Sequence, residues 1–290
     1  MALAVSVPPV PVIRSSLLAM LAVLLSLGIF LVSATAGQAA DRDRILAFLN
    51  VTGFDVALDS IALSAGSAPD MLGIDAREFG SEWERVSGDV FDTEVMRGLA
   101  LEILENTLTD DLLDHAAEFY ATDLGQRLVV AENAAHMMDD AEKEEEGKRI
   151  IADLVAEGSA RPQLIQRMNR AIDAAGSSLR AIQEIQMRFL LAASAAGVIE
   201  LQMDVDELRT LFQSQERELR RLLLKSAIAG AAYTYRDFSD DDLETYVTAL
   251  EEPEMKQVYE LLNAVQYEVM ANRFEVLAVR MAELHPGQDI

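Results

Sequence analysis

Three histidines and a large excess of carboxylates are the residues in this chain whose types and spacing could do chemistry. His115 lies in Asp111-Leu-Leu-Asp-His115-Ala-Ala-Glu118. On a helix, Asp111, His115 and Glu118 share a face, because residues three and four apart are neighbours. Two carboxylates and an imidazole can hold a transition metal, although a closed zinc site needs a fourth ligand. His136, with Glu132 one turn before it and Asp139 and Asp140 after it, offers the same combination. Neither matches the Glu-x-x-His pairs of di-iron bundles or a His-Glu-x-x-His zinc helix. With 49 acidic residues in 290, such neighbours also arise by chance. No metal and no cofactor is expected, Asp111, His115 and Glu118 being the nearest approach to a ligand set. His285, in the tail HPGQDI, is expected to be solvated and idle.

Other chemistries are excluded more firmly. The chain has no cysteine, so disulfides, thiolate metal sites and cysteine nucleophiles are absent. Nothing matches a phosphate loop, a dinucleotide fingerprint or a strand–turn–helix serine nucleophile. Lysine plus arginine number 24 and the formal charge is −25, which argues against nucleic acid, since neutralising phosphates needs a basic face. Hydrophobic residues make up 51%, too many for a disordered acidic polymer. No catalytic residue is assigned.

The charges are organised in runs. Asp139–Glu146 holds six acids in eight residues, and its plain reading is a long helix leaving the core, becoming solvated, and returning at Ile150. Arg217, Arg220, Arg221 and Lys225 form a basic cluster interleaved with Glu216 and Glu218, the pattern of a salt-bridged helix face. Met137 and Met138 point to different helix faces and are read as gap fillers.

The elements that must position these residues are helices. Val205, Leu208, Phe212, Gln215, Leu219, Leu222, Ser226, Ala229 and Tyr233 recur at spacings of three and four, and Met255, Val258, Leu262, Val265, Val269, Asn272, Val276 and Val279 repeat the pattern. No stretch alternates with period two. The fold class is all-α. Thr109 and Ser239 each precede acids that suit a helix N-terminus, Asp242 completing a capping box with Ser239. Thr122 is expected to cap a helix, Pro253 suits a first turn, and Gly158–Pro162 is the best internal break.

These parallels point to a duplication. A shift of 130 residues lays Leu108–His136 over Phe238–Gln266, with Asp110, Asp111, Leu113, Asn133 and Ala134 falling on identical residues. The expected architecture is a tandem pair of helical-bundle halves, 41–157 and 161–290, following a segment at 1–39. That segment has the three-part layout of a secretory signal peptide: Arg14, the apolar run Leu17–Val32, then small residues ending in Gly37 and Ala39. Its removal and a periplasmic location are expected. A retained anchor over 15–40 is the competing reading, since the uncharged stretch is long enough to span a bilayer.

Phe119-Tyr120-Ala121-Thr122-Asp123-Leu124-Gly125-Gln126, after a short acid-capped helix, resembles the signature of the domain of unknown function 2059 family. That resemblance implies a bacterial, mostly exported, all-helical protein with no assigned activity. Asp123 stands where the family commonly has proline. The second stretch, 238–266, keeps Pro253 but lacks the aromatic pair and the Gly-Gln, a degenerate copy. The motif reads as structural: Phe119 and Tyr120 packing at a helix corner, and Gly125 with Gln126 at a close helix approach.

The functional expectation is a non-catalytic interaction or structural module of the cell envelope, using helix faces to bind a protein partner or itself. The alternative is a small-ligand or metal-binding protein with its site between the halves.

Overall fold

Short polar residues decide where the helices begin. Asp41, Asp92, Thr109, Thr122, Asp139, Asp204 and Ser239 each accept a hydrogen bond from a backbone N–H of the following turn. Those N–H groups have no partner inside the helix, so each cap replaces a lost water contact. At Ser239 the box is complete: Asp242 N–H donates to the serine hydroxyl at 3.1 Å, and Asp242 accepts from Ser239 N–H.

The computed structural model describes residues 41–74, 82–173 and 176–284, without the side chains of 67 and 70. Residues 1–39, the expected signal segment, and His285 lie outside the described residues. Between the caps run α1 (Arg42–Thr52), α2 (Phe54–Ser60), a 3-10 segment (Ile61–Ser67), α3 (Ala68–Met71), α4 (Glu82–Val90), α5 (Thr93–Thr107), α6 (Asp110–Tyr120) and α7 (Asp123–His136). They continue with α8 (Asp140–Ala156), α9 (Arg161–Ile172), α10 (Ser177–Ala195), α11 (Val205–Thr234), α12 (Asp240–Glu251) and α13 (Pro253–Leu284). The protein is all-α.

The described residues form one compact unit. Helix α13 is its axis, packed against α2, α4, α5, α6, α9, α10 and α12. Helices from both sides of the expected boundary between the halves pack within that unit. Gly158–Pro162 is a turn, with Gly158 at φ +69° and Pro162 in the first turn of α9, but α8 and α13 both pack across that break.

Two sets of helices nevertheless mirror each other. The packed pairs α1–α5, α1–α6, α1–α7, α2–α5, α2–α7 and α6–α7 have counterparts in α9–α11, α9–α12, α9–α13, α10–α11, α10–α13 and α12–α13. Arg44 on α1 grips Asp110 and Asp114 of α6, while Arg161 and Arg167 on α9 grip Asp240 and Glu244 of α12. Asp240 and Glu244 are the residues that a shift of 130 assigns to Asp110 and Asp114.

Two expected stripes and one expected long helix are modified. On α11, Leu208 and Ala229 are buried but Val205 and Leu222 are exposed, so only part of its stripe is covered. On α13 the stripe holds from Met255 to Val269, then shifts to Phe274, Leu277, Ala278 and Met281 where other helices pack, leaving Val279 exposed. The helix carrying the acidic run is not continuous. It stops at His136, and Asp139 caps a new helix, so the acids occupy the first turns of α8, where an N-terminal dipole favours them. Gly147, just after the run, meets the backbone of Ala229 so closely that a Cβ would collide with its carbonyl.

Candidate functional site

The corner between α6 and α7 sets the site. Tyr120 is the last residue of α6, and Thr122 starts α7 two residues on. Gly125 lies against the backbone of Phe119 and Tyr120, where a Cβ would clash with Phe119 O and Tyr120 Cα. Gln126 donates its amide to Tyr120 O at 2.6 Å and to Val51 O at 3.2 Å, tying the end of α6 to α1. Phe119 stacks on Tyr246 with centroids 5.7 Å apart and meets Tyr120 edge-on at 5.3 Å. The four motif residues therefore hold one side chain, Tyr120, in a fixed place.

Tyr120 joins a buried polar cluster. Glu132 Oε1, on α7, accepts from Tyr235 at 2.7 Å and Tyr246 at 2.9 Å. Tyr246 and Tyr259 hydroxyls are 2.8 Å apart, Tyr120 and Tyr246 3.1 Å, and Tyr120 also bonds Tyr259. Tyr120, Tyr235 and Tyr246 are all under a tenth exposed. Among the described residues no lysine or arginine pairs with Glu132, and both of its hydrogen bonds land on one oxygen.

Proton counting constrains this cluster. Five oxygen–oxygen contacts are made, but four tyrosines supply four protons. An ionised Glu132 leaves one contact without a hydrogen. A protonated Glu132 completes all five, accepting from Tyr235 and donating to Tyr246. Desolvation acts in the same direction. It lifts the Glu132 carboxyl to about 7, although the bonds from Tyr235 and Tyr246 pull it back down. Burial pushes the hydroxyls of Tyr120, Tyr235, Tyr246 and Tyr259 up, so all four stay protonated.

The cluster forms one wall of a cavity of about 670 Å³. Phe54, Ala57, Met168, Ile172, Val258 and Leu262 make its apolar part. Asn169, whose side-chain nitrogen is buried without an acceptor, is in the same lining. On its exposed side stand His136, Asp140, Lys143 and Glu144. Lys143 is already engaged, with Asp140 at 2.6 Å and the Ala135 carbonyl at 3.1 Å. Tyr120 and Glu132 come from the first helix set and Tyr235, Tyr246 and Tyr259 from around the second, so the cavity lies where the two sets meet.

Of the sequence-level candidates, His136, Glu132 and Asp140 line this cavity, whereas the His115 group lies elsewhere. His115 faces Glu252 at 3.1 Å without hydrogen-bond alignment, while Asp111 and Glu118 stay exposed. No group of three or more metal-capable side chains occurs among the described residues. Within the basic cluster Arg220 pairs with Glu216 and Arg221 with Glu218, each on its own helix. Glu132 had entered only as a neighbour of His136, and Tyr235, Tyr246 and Tyr259 were not identified. A signal for Glu132 was present: it sits four residues after Leu128 and three before Ala135, an acid within the apolar stripe of α7.

Residues 94–153 match the model of a family described as "Uncharacterized protein conserved in bacteria (DUF2059)", the family that Phe119–Gln126 resembles. No curated protein and no solved structure matches the chain.

Proposed function

We propose that this protein is an exported helical binding protein that holds a small organic molecule in the cavity around Glu132. The observation that carries the reading is the cavity itself. It is mostly apolar and of ligand size, with one carboxyl and four phenols converging on it. Glu132 is partly buried and has no cation partner among the described residues; a desolvated carboxyl without one costs stability, and proteins keep such groups mainly where they work. This places the small-ligand alternative ahead of the interaction module. The exposed Leu222 and Leu224 of α11 still favour some self-association, measurable by light scattering.

Internal duplication belongs to the same proposal. It is supported by the mirrored helix pairs and by arginines gripping equivalent acids. The cluster itself is not duplicated, since the shift pairs Tyr120 with Leu250, Glu132 with Leu262, Tyr246 with Ala116 and Tyr259 with Val129. One asymmetric site results. Export rests on residues 1–39, and the exported protein is expected to begin at Ala40.

A thermal-shift screen of small amines, acids and alcohols tests the binding function. Compounds that raise the melting temperature of the purified protein by several degrees should lose that effect in Ala231→Trp, whose side chain fills the cavity. A screen without hits, or hits that survive the filled cavity, would overturn the reading.

A further inference from the structure

We propose that the cavity ligand is an organic cation, a protonated amine with an apolar body, whose N–H groups donate to the second oxygen of Glu132. This rests on the small-ligand reading above and names its chemical class.

Three features of the site carry it. First, Glu132 Oε1 takes both tyrosine bonds, which leaves Oε2 as the acceptor without a partner among the described residues. A carboxylate in a low-dielectric wall is stabilised most by a cation at hydrogen-bond distance. Among the described residues no lysine or arginine reaches it, Lys143 being held by Asp140 and the Ala135 carbonyl. Second, the residues lining the cavity include more acids, Glu132, Asp140 and Glu144, than bases, Lys143. Asp140 and Glu144 stand on its exposed side; Lys143 is held by Asp140, and Glu144 pairs with Lys148 and accepts from Ser226. His136 is the remaining titratable group there, and burial and Lys143 push it toward its neutral form. An anionic ligand would meet repulsion on entry, whereas a cation would be drawn in by these acids and by the net charge of −25. Third, Phe54, Ala57, Met168, Ile172, Val258 and Leu262 in the lining accommodate a hydrocarbon body.

Binding a cation also changes the proton count. With Glu132 neutral, five protons fill five contacts. With Glu132 ionised, the cluster surrenders one proton and the ligand supplies the compensating charge. Binding is therefore coupled to ionisation of Glu132, and the sign follows. Affinity for an amine that stays protonated across the range rises with pH up to about 7 and then levels. Going from pH 8 to pH 6 lowers the ionised fraction about tenfold, so affinity should fall about tenfold. A carboxylate ligand would bind the neutral acid and show the reverse trend.

Isothermal titration with hexylamine, hexanol and hexanoate, which share one apolar body, tests the proposal at pH 6 and pH 8. Hexylamine should bind tightest and weaken about tenfold at pH 6. In Glu132→Gln, whose single amide oxygen can still accept from Tyr235 and Tyr246, hexylamine should lose its advantage over hexanol. Equal or tighter binding of hexanol or hexanoate to the unsubstituted protein would overturn the cation proposal and leave the cavity as a ligand site. Failure of all three to bind would overturn the cavity reading as well. Circular dichroism of Glu132→Gln separates loss of recognition from loss of fold. If that variant is unfolded, the pH trend and the ranking in the unsubstituted protein decide the matter.

Discussion

Glu132 shows how one residue can set both stability and recognition. Its carboxyl is lifted from 4.5 to about 7 by desolvation. The folded state therefore holds this proton more tightly than the unfolded chain, a contribution complete below pH 4.5 and lost as pH rises through 7. Above that, the cost is about 3 kcal/mol. Glu132→Gln is expected to remove it, so the variant should gain on the parent by about 2–3 kcal/mol between pH 5 and pH 8, measured by urea unfolding at each pH. Gly125 is the second decisive residue. Because the atoms it meets are backbone, they cannot swing aside, and Gly125→Val should destabilise by about 3 kcal/mol in the same assay, by overpacking the corner. An unchanged midpoint would mean that the corner relaxes freely.

At the scale of elements, the pairing of α8 with α11 depends on one small residue. Gly147 lets two helix backbones meet at Ala229, while much of the remaining α8 surface is exposed, Val155 included. Gly147→Leu is expected to lift α8 from α11 without melting the bundle. Hydrogen exchange should then accelerate across 140–156 while α12 and α13 keep their protection. Uniform acceleration would instead mean that α8 is integral to the core. The cap residues of these helices were legible in the sequence, since Thr109, Thr122 and Ser239 act through neighbours two or three positions away. The break between α7 and α8 was not. Reading 124–146 as continuous missed Asp139 as a cap, because a cap inside an acidic run looks like one more solvated acid.

For the whole molecule, α13 makes the described chain one unit. Its Met255, Val258, Val265, Phe274, Leu277 and Met281 are all buried, against helices from both sides of the Gly158 turn. A fragment ending at 157 would expose the faces of α4, α5 and α6 that α13 covers. It is expected to lack a cooperative thermal transition and to bind a hydrophobic dye, whereas the chain from residue 41 to 290 should melt in a single step. A cooperative transition in the fragment would instead mean that 41–157 folds by itself.

Sequence patterns were sufficient for the all-α class, for the helix starts at 109, 122 and 239, and for a family resemblance over Phe119–Gln126, because caps, periodicity and a compact motif act through residues near in the chain. The separation into halves was a different matter. Composition marks a turn at Gly158–Pro162, but whether helices pack across a turn depends on which faces find each other. The site was the least visible. Tyr120, Glu132, Tyr235, Tyr246 and Tyr259 span five places along the chain and have no mutual spacing rule. Only packing of the two helix sets brings their oxygens within hydrogen-bond distance, and only burial turns an ordinary glutamate into a group that ionises near neutrality.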